Sequence, residues 1–485
     1  MAPITRIPAD QPAAVHANRG SAQTLTAVLV LLAVVSTAVA SLGAPLLATI
    51  VHVEHVSLAS SQWALTITLL VGAVAAPLMG RLGDGHHRRT ATLTGVASVT
   101  VGCVLSALPL GFAVLLAGRA LQGVGLGLVP LATAFARDHL PAERSRHTIV
   151  ILGTTTVAGI GAGYPVAGLF AQYLGLYSAF WFGAVVSALT LVVSIVVLPA
   201  SPVRHRRVDI PGATVLGLGV AGLLLILADG PDWGWASPGT LAVAVVSIVL
   251  LAAWVVIELR TGQPLVDLRL LRHRGVLAAN VTGLLVSIGF YPLMSLVVRY
   301  VQTPVAAGYG FGAPVVIAGL MLTPFSLASF AASRVVRPAS KRVSREWVVA
   351  ASGVLLVAAV LIFLLARTSY WQVIVAMTLL GFGVGCVFAI NPLQIVVGVP
   401  GHETGSAMSF YQLVRTVGYS IASALSATAL VLYIPAGHAL PSDTGYSTAA
   451  LISVAVLIAG LLISTVFASR RQPDGPATPD LIRNG

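Results

Sequence analysis

Fourteen apolar runs of 18 to 27 residues follow one another along the chain, joined by short polar connections. A hydrocarbon layer ~30 Å thick takes about 20 helical residues to cross and offers no water to backbone groups, so each run predicts a membrane-spanning helix. The spans are placed at Leu25–Thr49, Gln62–Gly80, Thr90–Leu108, Phe112–Phe135, Thr148–Phe170, Leu176–Leu198, Pro211–Ala228, Gly239–Ile257, Gly275–Val298, Ala313–Ala332, Trp347–Ala366, Trp371–Leu393, Ser406–Leu432 and Thr448–Ala468. They are numbered 1 to 14 below. The first is too long for the core of a cleaved signal peptide. The segment before it, residues 1–22, has no apolar periodicity and is expected to be a disordered tail, as is 470–485.

Charge placement tests this list. Of the 27 basic residues 26 are arginine, and alternating the loops between two sides puts 23 of the 27 on the side of both termini and only Arg299 and Arg367 on the other. Such a bias marks the cytoplasmic face, so both ends are expected in the cytoplasm of a plasma-membrane protein. A chain that is 57% hydrophobic and 9% charged cannot clothe a soluble globule of 485 residues, and its net +12 reflects membrane orientation and not a nucleic-acid partner. Cys103 and Cys386 both fall inside spans and offer no disulfide framework or metal site.

The two remaining basic residues, Arg119 and Arg415, lie within spans. Arg119 opens the stretch Arg119-Ala-Leu-Gln-Gly-Val-Gly of span 4, and on a helix it shares a face with Gln122. An ionisable group at such depth normally faces a water-filled cavity; the alternative is a structural arginine held by carbonyls. Gly123 and Gly127 form a close-packing step. No strand precedes these glycines, so they do not make a phosphate loop.

The sequence repeats itself. Gly123 to Val129 (GVGLGLV) in span 4 returns as Gly381 to Val387 (GFGVGCV) in span 12, an offset of 258. The connection from Gly80 to Arg89 resembles, more weakly, Ser333 to Arg342. These offsets equate spans 1–6 with spans 9–14 and leave spans 7 and 8 as an inserted pair. The expected division is a six-helix bundle over 25–198, the pair over 209–257, and a second six-helix bundle over 275–468.

Gly80-Arg-Leu-Gly-Asp-Gly-His-His-Arg-Arg between spans 2 and 3 resembles the signature loop of the major facilitator superfamily, with Asp84 and Arg88/Arg89 as the matching charges. Gly159, Gly163, Pro165 and Gly168 resemble the fifth-span antiporter motif of drug exporters. Asp209-Ile-Pro-Gly ahead of span 7, Gln62-Trp63, and Gln412-x-x-Arg415-x-x-Gly418 are similar to features of the fourteen-helix drug:proton antiporter branch. The resemblance implies an alternating-access exporter of small amphipathic molecules, a monomer that uses protons as coupling ion and needs no cofactor. It implies that Gly80, Asp84, Arg88 and Arg89 form a cytoplasmic latch, and that the span-5 glycines and Pro165 allow close packing and bending. Departures are visible: Gly85 and His87 alter the loop pattern, Tyr164 precedes the proline, Ala167 replaces a glycine, and Ser36 stands where the branch carries a first-span acid.

Cavity candidates read from the spans are Arg119, Gln122, Trp63, Asn280, Tyr291, Asn391, Tyr411 and Arg415, although interface aromatics and helix-to-helix hydrogen bonds call for the same residue types. His52, Glu54 and His55 form an outer-loop cluster better read as solvated than as metal ligands. Every acid falls in a tail, a loop or a span end. A cavity holding arginine without carboxylate favours neutral or anionic solutes over lipophilic cations, and proton coupling would then run through a peripheral acid such as Glu54 or Asp84, or through the solute itself. Solute import on the same fold, a membrane sensor, and a membrane-embedded enzyme are the competing readings. No catalytic constellation within the spans favours the last.

Overall fold

The computed structural model describes residues 19–201, 209–342, 345–435 and 440–469. Among them, 13 helices are long and apolar enough to cross a membrane, and they coincide with spans 2 to 14. Span 1 is built from two helices, Arg19–Ser41 and Gly43–Glu54. The interruption follows from Pro45, which has no N–H to return to the Ser41 carbonyl. Helix begins at Arg19, inside the stretch expected to be a tail; residues 1–18 and 470–485 lie outside the described residues.

Span 4 is also divided. The α-helix Phe112–Gly123 tightens into a 3-10 turn, Val124–Gly127, before the α-helix Leu128–His139. The glycines explain where. A Cβ on Gly123 would lie 2.4 Å from the Thr68 carbonyl oxygen of span 2, so only glycine permits this approach. Ser36, at the position of the missing acid, donates its hydroxyl to the Gly125 carbonyl at 2.6 Å and ties span 1 to the turn.

The halves repeat in their contacts. Span 1 packs on 5, 2 on 4, 3 on 4 and 3 on 6; correspondingly 9 packs on 13, 10 on 12, 11 on 12 and 11 on 14. The halves meet along two seams, span 2 against 13 and span 5 against 10 and 12. Small residues make the second seam close: a Cβ on Gly153 would lie 1.9 Å from the Phe388 carbonyl oxygen, and one on Gly161 would lie 2.2 Å from Ser326 Oγ. The inserted pair, Ile210–Trp233 and Pro238–Arg260, is not symmetric about these seams. Span 7 packs on span 8 and, across from it, on spans 2 and 13, and Trp254 of span 8 stacks on Phe410 of span 13 at 6.3 Å. Leu216, Val220 and Leu224 share an apolar cluster with Ala73 and Leu413, which fastens the pair to that seam.

Candidate functional site

A cavity of about 640 Å³ lies between the halves. Spans 9 and 13 supply its polar wall through Tyr291, Ser295 and Arg299 on one helix face and Gln412, Arg415, Thr416 and Tyr419 on the other. Spans 2 and 4 supply Gln62, Leu65, Leu69 and Leu126, and span 7 adds Leu224 and Leu227. The cavity reaches the connections of the arginine-poor face, where Thr303, Pro304 and Pro441 line it. Among the described residues, no aspartate or glutamate lines it.

Of the cavity candidates, Tyr291 and Arg415 line it. Arg415 is 3% exposed; its Nε and one Nη donate to the Tyr419 hydroxyl at 3.2 and 2.7 Å, and the other Nη reaches Gln412 Oε1 at 3.4 Å. Its guanidinium carbon lies 3.8 Å from the centre of the Phe388 ring. Arg299, which counting by loops places outside the membrane, stands in the wall as well. Three aromatic residues collect nearby, with Tyr291 and Tyr419 stacked at 5.0 Å and Phe290 edge-on to Tyr419 at 5.9 Å.

Arg119 and Gln122 sit elsewhere. Both are buried and outside the lining; Arg119 donates from Nε to the Ala64 carbonyl at 2.9 Å and from Nη1 to Gln122 Oε1 at 2.5 Å, while Gln122 Nε2 donates to Ser106 Oγ at 3.1 Å. Thr68 closes the group by donating to the Arg119 carbonyl at 3.0 Å. The chain thus joins spans 2, 3 and 4, and the physical reason is that each polar atom finds a partner within one half. Arg119→Lys keeps the charge but loses the fork that serves Ala64 and Gln122 together. It is expected to destabilise the detergent-purified protein by about 2 kcal/mol, on the scale of one charged hydrogen bond, with solute affinity unchanged. Thermal unfolding beside a binding isotherm checks this; a normal melting temperature with weakened binding would return Arg119 to the solute site.

Asn391 and Tyr411 are likewise drawn into contacts between helices, whereas Asn280 bonds within its own. Asn391 Nδ2 donates to the Ala279 carbonyl at 3.0 Å, to Thr282 Oγ1 at 3.2 Å and to the Tyr411 hydroxyl at 3.3 Å, joining spans 9, 12 and 13. Asn280 donates to Val276 one turn back. Trp63 is half-buried at the start of span 2, and its neighbour Gln62 is the one in the cavity wall.

At the arginine-rich end the halves are joined. Asp84, fully buried at the end of span 2, accepts from the backbone N–H of Gly405 at 2.7 Å and of Ser406 at 2.9 Å, and from the Ser406 hydroxyl. These are free donors in the first turn of span 13, where a helix carries partial positive charge. The sequence suggests instead a pair with Arg88 or Arg89. Arg88 pairs with Asp138 at 2.8 Å and the Gly83 carbonyl, and Arg89 donates to Leu198 at 3.1 Å and Ile195 at 2.6 Å, so both stay within their own half. Burial raises the Asp84 carboxyl to about 6, against the opposing pull of its hydrogen bonds and of Arg88. Gly80 takes part directly: a Cβ there would lie 2.0 Å from Ser409 Oγ, and one on Gly405 would lie 2.5 Å from the Gly80 carbonyl oxygen. Arg137 of span 4 adds bonds to the Val399 carbonyl at 3.0 Å and to Thr404 Oγ1 at 2.7 Å.

In span 5, Pro165 lies within the helix Ala142–Tyr173, whose Gly159, Gly163 and Gly168 are buried. Gly168 keeps looser contact, its Cβ position 3.7 Å from Val316. Gly153, whose Cβ position makes the shortest approach of any described glycine at 1.9 Å, belongs to no motif, and neither does Gly405. The Gly123 and Gly127 step packs on Thr68 and on Met79, both in span 2.

The profile of the Major Facilitator Superfamily matches residues 28–423. The chain belongs to this superfamily. Among its relatives, the multidrug resistance protein Stp of Mycobacterium tuberculosis is 28% identical over 77% of this chain and 70% of its own. The tetracenomycin C resistance and export protein of Streptomyces glaucescens is 26% identical over 76% of this chain and 69% of its own. Among solved structures, the human organic anion transporter MFSD10 superposes with a TM-score of 0.63 at 18% identity, covering 91% of this chain and 99% of that one, which shows the facilitator fold.

Proposed function

We propose that this facilitator exports small amphipathic molecules by alternating access, prefers neutral or anionic solutes, and is driven by proton entry. The observation that carries the reading is the unequal state of its two ends: the cavity reaches the arginine-poor face, while Asp84 and the first turn of span 13 seal the arginine-rich one. A carrier needs contacts that exist in one state and not in the other, and this seal joins the two halves through few groups. The arginine bias supports a cytoplasmic position for the sealed end and for both termini. The lining carries arginine and no acid, which supports the solute preference. The printed names of the two bacterial relatives, resistance in both and export in one, support efflux over uptake. Protons would enter through Asp84, through Glu54, which accepts from the Tyr177 hydroxyl at 2.8 Å at the opposite end, or on the solute.

The test is direction. Cells expressing the chain should hold less of a fluorescent amphipathic acid than cells carrying an Asp84→Ala variant, and collapsing the proton gradient should abolish the difference. Greater accumulation in the expressing cells would replace efflux by uptake.

A further inference from the structure

We infer that Arg415 anchors the acidic group of a planar aromatic anion, whose ring system lies between the Tyr291/Tyr419 stack and the leucines of the opposite wall. The inference deepens the transport reading, from which it takes only that the central cavity is the solute site.

The guanidinium of Arg415 is almost wholly withdrawn from water, and among the described residues its partners are neutral: a tyrosine hydroxyl, a glutamine oxygen and the faces of Phe388, Tyr411 and Tyr419. Such partners orient a cation and spread its charge but do not cancel it. A buried cation without a counter-ion is costly, and no carboxylate lines the space beside it. The missing negative charge therefore belongs to what fills the cavity. Three bonds use three of the five guanidinium N–H groups, which leaves a donor edge for a carboxylate or phenolate.

The walls describe the rest of the ligand. Tyr291 and Tyr419 stack at 5.0 Å with their planes 25° apart, a geometry that a further ring extends. Facing them, Leu65, Leu69 and Leu126 present only hydrocarbon. The buried arginine thus sets the acidic end of the ligand on the C-terminal half, and the leucines of the N-terminal half, set among Thr37, Gln62, Thr66 and Thr156, meet its ring system. Arg299 stands on the same face of span 9 as Tyr291, ~12 Å further toward the arginine-poor end, and is exposed. It offers the same acidic group a second, hydrated partner at the mouth.

The experiment is equilibrium binding to the full chain in detergent, by calorimetry, of four probes: 1-naphthoate, its neutral isostere 1-naphthamide, 1-naphthyltrimethylammonium, and acetate. Naphthoate is expected to bind at least ~10-fold more tightly than the amide, with the quaternary cation and acetate weaker still. Arg415→Gln should bring naphthoate down to the level of the amide and leave the amide within about twofold, and Arg415→Lys should keep part of the gap. Should the glutamine variant not fold, the ranking of the four probes on the unaltered protein decides alone. Equal binding of acid and amide, preference for the cation, no binding of any probe, or a gap that survives Arg415→Gln overturns the proposal. Acetate binding as tightly as naphthoate overturns the aromatic part. Because no step of this assay depends on direction, a chain that binds naphthoate through Arg415 but imports it would sink the efflux reading and leave the site standing.

Discussion

Asp84→Ala is expected to abolish transport while the protein still reaches the membrane. The substitution removes the one acceptor shared by Gly405 N–H, Ser406 N–H and the Ser406 hydroxyl at the sealed end. Hydrogen bonds to a charged group contribute about 1.5–3 kcal/mol each, and part of that is offset by the burial of the carboxylate. A net loss of about 3 kcal/mol would lower the ratio of sealed to open protein ~100-fold. The readout is a cysteine at Ser409, which packs against Gly80 inside the seal, in a protein lacking Cys103 and Cys386. Its labelling by an impermeant maleimide from the arginine-rich face should rise by about that factor, with Asp84→Asn intermediate. Labelling and transport at the parental rates would remove Asp84 from the switch.

The same carboxylate gives the seal a pH dependence whose sign is fixed. Buried, Asp84 binds its proton with a pKa of about 6; once the seal opens and water reaches it, the value falls toward that of an ordinary carboxylate. The sealed form therefore binds the proton more tightly, gains stability as pH falls through about 6, and loses that gain as pH rises above it. Labelling at Ser409→Cys, normalised to the unfolded chain, should slow between neutral and mildly acidic pH. In Asp84→Asn that slope should vanish.

The other large effect is expected of Gly153→Val. The site of its Cβ is 1.9 Å from the Phe388 carbonyl oxygen, a backbone atom that no rotamer change can move aside, so spans 5 and 12 must part. Overpacking a dense contact costs about 1–3 kcal/mol when side chains absorb it, and separating two helices lies at or beyond the top of that range. Little monodisperse protein should be recovered, with a strongly lowered melting temperature. Gly239→Ala, at a position with nothing within 4 Å, should behave as the parent. A stable, active Gly153→Val protein would mean that the seam is looser than its geometry indicates.

What could be read from the sequence divides by the kind of partner involved. The spans were legible because crossing a membrane needs long apolar runs, and the arginine alternation checks their number. Arg119 stands out for the same reason, as a charge where charge is costly, and Asp84 through the loop motif that it resembles. Their partners did not show, because they are mostly backbone: Ala64 O for the arginine, and Gly405 and Ser406 N–H for the aspartate, 321 and 322 positions away. A loop motif that places Asp84 beside Arg88 suggests a local pair, and the fold instead spends Arg88 on Asp138. Gly153 and Gly405 are lone glycines, without a pattern to set them apart from the other glycines among 48. Pro45 was a readable signal for the break in span 1.

The lopsided position of the inserted pair bears on lateral traffic. Span 7 covers the flank where spans 2 and 13 meet and contributes Leu224 and Leu227 to the interior, whereas the flank formed by spans 5, 10 and 12 carries no such cover among the described residues. Molecules dissolved in the bilayer therefore meet two unlike sides. One is covered by a helix that the twofold repeat does not supply, the other is closed by the direct glycine contacts of span 5 with spans 10 and 12, and a carrier whose two halves repeat each other acquires a front and a back.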